Sequence, residues 1–183
     1  MAQYTLDKSA SRFTVRAFAT GMLAAMGHNP TIAIRDFSGE AAFDLAAPEK
    51  AFFRMQIRTD SLEVTDDIKS KDRKEIESLM NEKVLESAKF PTITFESTSI
   101  SATQLSEGRF QMNMNGNLSL HGVTAKIPLN TQVAFLGDML RASGDFSLLQ
   151  SNYNIAIVSV GGGALKVKDE LKFSFDLVAR KQE

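Results

Sequence analysis

Residues 110–120 read FQMNMNGNLSL. The even positions are Phe110, Met112, Met114, Gly116, Leu118 and Leu120, and the odd ones are Gln111, Asn113, Asn115, Asn117 and Ser119. Successive side chains of a strand point to opposite faces, so this segment is a strand with one oily face and one wet face. His121-Gly122 interrupts it. The phase then resumes with Val123, Ala125, Ile127, Leu129, Val133 and Phe135, and Gly137-Asp138 supplies the next turn before Leu140, Ala142, Gly144, Phe146 and Leu148. Pro128 has no N–H to give a ladder, which places it at a bulge or on a side without a partner.

The same rule recurs at Phe13, Val15 and Ala17, at Ile32 and Ile34, and at Phe53, Met55 and Ile57. It returns at Ile93 and Phe95, and at Leu171, Phe173, Phe175 and Leu177. About eight to ten strands follow from this spacing. Long alternating strands with one wet face pair antiparallel, and this many of them form an all-β barrel or sandwich.

Residues 63–89 break the pattern. Fourteen of these 27 residues are charged, while Ile68, Ile76, Leu79, Met80 and Val84 recur at helical spacing. An amphipathic helical insert is expected, with Asp72 and Glu75 at the spacing of a capping box. Its eight acidic and six basic residues nearly cancel, as in a solvated outer face.

Length and composition narrow the function classes. At 183 residues the chain is the size of one domain, residues 1–183, with the insert inside it. Lys and Arg total 21 against 22 Asp and Glu, so a polyanion such as nucleic acid is not expected as a partner. The absence of cysteine removes disulfides, thiolate metal sites and cysteine nucleophiles. No apolar run approaches the ~20 residues of a spanning helix, so the chain is read as not membrane-spanning. It opens without a secretory leader and reads as cytoplasmic, or as periplasmic if a leader has been removed. A homodimer stays open.

The catalytic inventory is thin. His28 lies in MGHNP and His121 in LHGVT, both at turns and without metal-ligand spacing, so each is expected to hydrogen-bond its own turn. Gly161-Gly162-Gly163 matches no phosphate-binding fingerprint and reads as a turn before the last strand. Neither a metal nor a cofactor is expected, and the chain is read as not an enzyme. What remains is the apolar interior, which in an eight-stranded barrel is either filled by side chains or holds one small ligand. Residues 21–27, GMLAAMG, are expected to plug one barrel end as a buried turn or to act as a mobile portal.

Several stretches resemble one family. GNLSLHGVTAKIPL, residues 116–129, is similar to the G-x-L-T-I-x-G-V-T-K-P-V signature of the YceI-like family of lipid-binding barrels. YTLDKSASRFTVRAF resembles its opening, with Ala10-Ser11 where His-Ser is usual. FPTITFESTSI and RDFSGEAAFD resemble two further strands, and SNYNI stands where the family has R-S-D-F-G-I, differing at Asn152 and Asn154. The residues around GMLAAMGHNP depart most.

The resemblance implies an extended, antiparallel, eight-stranded lipocalin-like β-barrel with a helical segment, enclosing a tunnel for a polyisoprenoid or fatty-acid-like tail. Strand phase then nominates Phe13, Val15, Ile34, Met55, Phe95, Phe110, Met112, Met114, Phe146 and Phe173 as the apolar lining, with His28 or Asn154 touching a head group. The competing expectations are a packed barrel that serves as a protein-interaction or stress-response module, and an enzyme acting on a bound lipid through His28 or His121.

Overall fold

The structure is a computed structural model that describes residues 1–22 and 24–182. Its wall is one antiparallel sheet closed on itself. In order around the barrel run β1 (Ala2–Leu6), β5 (Phe37–Phe43), β6 (Phe52–Arg58), β8 (Thr92–Ser106), β9 (Arg109–Leu120), β10 (Val123–Phe135), β11 (Met139–Leu149) and β14 (Glu170–Lys181), which pairs back with β1. These eight strands are the all-β, eight-stranded antiparallel barrel that the resemblance implies, one of the two architectures, barrel or sandwich, left open by the alternation.

Three of the eight staves are broken, all at one level of the barrel. Below the breaks β1 is continued by β2 (Arg12–Arg16), β5 by β4 (Thr31–Ile34) and β6 by β7 (Leu62–Val64), and these short strands pair as β14-β2-β4-β7. Polar groups close the gaps. Asp36 sits between Lys8 (2.6 Å) and Arg58 (3.7 Å). At residues 7–11 the Ser11 hydroxyl donates to the Asp7 carbonyl and accepts the Val178 N–H, and so replaces a ladder partner where the stave jogs. The Asp7 carboxylate accepts from the Ser9 hydroxyl and from Arg180, which hold its pKa down at about 2.

The strand that decided the fold keeps its phase from end to end. Phe110, Met112, Met114, Gly116, Leu118 and Leu120 are buried, whereas their odd-numbered neighbours are exposed or half-buried. Gly116 is small for a reason, because a Cβ there would stand 2.2 Å from the Phe95 ring. His121 (φ 52°) and Gly122 (φ 77°) make a two-residue hairpin turn, the left-handed pair whose twist matches that of the flanking strands. Pro128 sits opposite Asn115 in an unbroken β9–β10 register, and β11 joins β10 only from Gln132 onward. Its missing N–H therefore meets no partner strand, and no bulge is needed.

Below the breaks the wall is not all strand. The helical insert forms α1 (Ser70–Leu79), which runs on through a π-turn over Met80–Val84. Ile68, Ile76 and Val84 pack on the core beside buried Met80 and Leu85, the apolar face that the spacing predicts except for Leu79, which is 39% exposed. The Val64 N–H donates to Glu77 and ties α1 to the barrel. The capping-box expectation fails: Lys69 is the N-cap, without a side-chain bond, and Asp72 lies inside the first turn, facing His28 at 3.4 Å.

A second small sheet flanks this end. It joins β3 (Ala19–Thr20), β13 (Leu165–Val167) and β12 (Ser159–Val160), with Gly161–Gly163 as the β12–β13 turn, one strand earlier than the sequence suggests. The described residues of the stretch 21–27 include one 3-10 turn, Ala24–Met26. They are no buried plug, because Met22 and Met26 are 91% and 79% exposed. Leu23 lies outside the described residues.

Candidate functional site

The interior is hollow, so the packed-barrel expectation does not describe it. A chamber of about 520 Å³ occupies the broken half, and a narrower one of about 140 Å³ lies in the fully paired half. The larger is within the ~300–1,000 Å³ of ordinary small-molecule sites. Phe13, Ile57, Ile93, Leu118 and Phe146 belong to both walls, so the chambers abut at this ring. The ring is stiffened by aromatic contacts. Phe146 stacks on Phe173 (4.7 Å, 7°) and Phe13 meets Phe146 at 6.5 Å. At the far end of the narrow chamber buried Tyr4 and Phe110 pack with Phe43, which also lines that chamber, and close it off, with Phe43 edge-on to Phe110 at 5.7 Å. Burial raises the Tyr4 phenol pKa, with the Asp138 charge adding to it.

The ten residues nominated for the lining divide clearly. Phe13 and Phe146 stand at the shared ring. Val15, Ile34 and Phe173 line the wide chamber, and Met55, Phe95, Met112 and Met114 the narrow one. Phe110 lines neither. Strand phase gave its face correctly, but not its depth along the axis, where it packs in the closed end.

Polar groups gather at the wide chamber's mouth. His28 is there, with Asp72 and Glu75 from α1 and Lys166 from β13. Asn154 is not. It is exposed, lies outside the walls of both chambers and ends the 3-10 turn Gln150–Tyr153 at φ 54°, the left-handed conformation that asparagine tolerates.

Two polar residues escaped the sequence reading. Gln150 is 4% exposed and lines the wide chamber, and its Nε2 donates to the Lys168 carbonyl. Thr131 is buried in the narrow chamber's wall. Thr131 continues the inward phase of Ile127 and Leu129, and that was its available signal. Gln150 ends β11, where alternation stops.

His121 does not bond its own turn. Its Nδ1 pairs with the Tyr153 carbonyl (3.1 Å), its Nε2 with the Glu86 carboxylate (2.6 Å), and its ring lies on Phe90 (4.5 Å). Both ring nitrogens thus face acceptors supplied from distant segments. The residue staples three loops and stays outside both chambers. Among the described residues there is no group of three or more His, Asp or Glu able to hold a metal ion.

A closed β-barrel with a wide apolar chamber opening at one end defines the class of lipocalin-like barrels built around an interior cavity. The profile of the YceI-like domain matches residues 4–179, and the chain belongs to that family.

A UPF0312 protein of Azotobacter vinelandii is 29% identical over 169 residues, covering 92% of this chain and 75% of that protein. Protein YceI of Salmonella arizonae is 29% identical over 138 residues, covering 75% of this chain and 64% of its own length. The chain thus spans less than two thirds of the Salmonella relative. Two solved structures share the fold. BcnA of Burkholderia cenocepacia has a TM-score of 0.73 at 21% identity, covering 94% of this chain and 98% of its own. A polyisoprenoid binding domain from Saccharophagus degradans, implicated in plant cell wall breakdown, has a TM-score of 0.71 at 14% identity, with full coverage of both chains.

Proposed function

We propose that the protein binds a hydrophobic small molecule non-catalytically, a polyisoprenoid or other long-chain lipid, and carries it. The tail lies through the shared ring into the narrow chamber, and the polar end stays in the wide chamber near its mouth. The observation that carries this reading is the pair of abutting apolar chambers, closed at one end by Tyr4, Phe43 and Phe110. Burying apolar surface is worth ~25 cal/mol per Å², so a tail of many methylenes binds here without a charged contact. Gln150 and the mouth groups His28, Asp72, Glu75 and Lys166 then select the polar end. The polyisoprenoid binding of the Saccharophagus domain, which shares the fold, is consistent with such a ligand.

The test is mass spectrometry of an organic extract of the purified protein, together with uptake of an added isoprenoid alcohol. A co-purifying lipid or saturable uptake is expected. Repeated absence of both overturns the reading.

A further inference from the structure

In a chain that is 23% charged, the two longest stretches without Asp, Glu, Lys or Arg are residues 17–34 and residues 146–165. They are far apart in sequence, yet the fold brings them together. β3 of the first pairs with β13, whose Leu165 ends the second, and Gly27 is so close to Leu165 that a Cβ would stand 2.8 Å from its side chain. The two stretches meet at the mouth of the wide chamber, which Ala17, Phe18, Ala19, Met26, Val158 and Val160 help to line.

This meeting point is exposed. Met22 and Met26 are 91% and 79% exposed, Val160 is 53% exposed, and Ala25 is exposed between the methionines. An apolar rim of this kind, uninterrupted by charge, marks an interaction surface. Its strand-side border is basic. Arg16, Lys166, Lys168 and Lys172 are exposed there, and the Arg16 guanidinium and the Lys172 ammonium both lie over the Phe18 ring, at 5.2 and 5.7 Å. The acidic groups nearby face elsewhere or stand across the opening. Asp169 is held by the Ser151 N–H and hydroxyl, which keep its pKa low, Asp72 faces His28, and Glu75 lies on the helix side of the mouth. Glu170 is exposed beside them.

We propose that this rim docks on an anionic lipid bilayer, with Met22, Ala25 and Met26 entering the headgroup region and the bordering basic residues pairing with lipid phosphates. An apolar tip beside a basic belt is the pattern of interfacial binding. The occupant follows from where the rim lies: it borders the opening of an apolar chamber on the strand side, opposite Asp72 and Glu75, and a tail leaving that chamber along the rim into a bilayer need not cross water. The purpose given to the docking rests on the lipid-carrier reading, but the docking itself does not require a bound ligand.

The chain has no tryptophan, so Met22→Trp introduces a single reporter at the tip. With vesicles of equal parts phosphatidylcholine and phosphatidylglycerol, its emission shifts to the blue, and the full chain co-sediments with the vesicles. Met22→Asp/Ala25→Asp weakens co-sedimentation by at least about tenfold, since each carboxylate must leave water. Raising the salt weakens it too.

Uptake of an isoprenoid alcohol from ethanol, with no vesicles present, is retained in the double variant, because neither residue lines a chamber. Loss of uptake in the wild type alone therefore counts against the carrier reading and not against docking. Docking is overturned if the wild type fails to co-sediment, or if the double variant binds vesicles as well as the wild type. It is also overturned if the double variant's only effect is to dissociate a dimer of this chain, which would assign the rim to a second copy.

Discussion

Phe146→Ala tests whether the ring between the chambers limits the length of the tail. Phe146 is half-buried on β11, stacked on Phe173 with one side toward the cavity. Removing a fully buried phenylalanine costs about 3–5 kcal/mol. Because part of this ring already faces open space, less transfer energy is lost, although the stacked pair adds about 0.5–1.5 kcal/mol. A net loss of about 2–3 kcal/mol follows, or a fall in Tm of roughly 5–10 °C for a chain of this size.

The same change merges the two chambers. In a series of fatty and isoprenoid alcohols displacing a fluorescent lipid, the preferred tail should become longer while the fold weakens, as read from urea melts. A weakened fold with an unchanged length profile would falsify the ring's role as the restriction. An unchanged urea midpoint would show that its aromatic packing is not as described.

Met114→Glu places a carboxylate in the narrow chamber, where no cation lines the wall; uptake should fall and stability drop by several kcal/mol, measured by lipid titration and urea melts. His121→Asn keeps a residue tolerant of the left-handed turn but removes the ring between Glu86 and Tyr153. A loss of about 2–4 kcal/mol is expected, and a smaller one than about 1 kcal/mol would demote the staple. Asp7 is held at about 2 in place of 3.8, so its bonds contribute stability above the higher value and lose it as pH falls toward the lower. Between those pH values the wild type should lose stability more steeply than Asp7→Asn in acid titrations followed by circular dichroism; parallel curves would refute it.

The barrel was legible because its strands are long and one face is wet. From Phe110 to Leu148 every expected face is the observed one, since period-2 patterning needs no knowledge of what lies across the sheet. Position along the axis is a different coordinate, and alternation is blind to it. Phe110 and Met112 share a phase, yet one packs in the closed end and the other lines a chamber. The stave breaks at residues 7–11, 35–36 and 59–61 were missed for a related reason: each is repaired by groups from another strand, such as Ser11 with Val178. His121 and Asp72 show the same limit, because a hydroxyl, ring or carboxylate near a turn looks local until the fold supplies Glu86 or His28.

The row of stave breaks gives the barrel a stiff back and a compliant front. Across the back, β9 and β10 are joined through twelve consecutive residue pairs and β11 and β14 through eleven, while β2–β4 and β4–β7 are joined through three each. Opening that costs the fewest ladder bonds therefore concentrates in the front of the wide chamber. A bulky guest can stretch that front while the narrow chamber keeps its bore. Girth at the entrance and depth at the closed end are, mechanically, separate settings in one molecule.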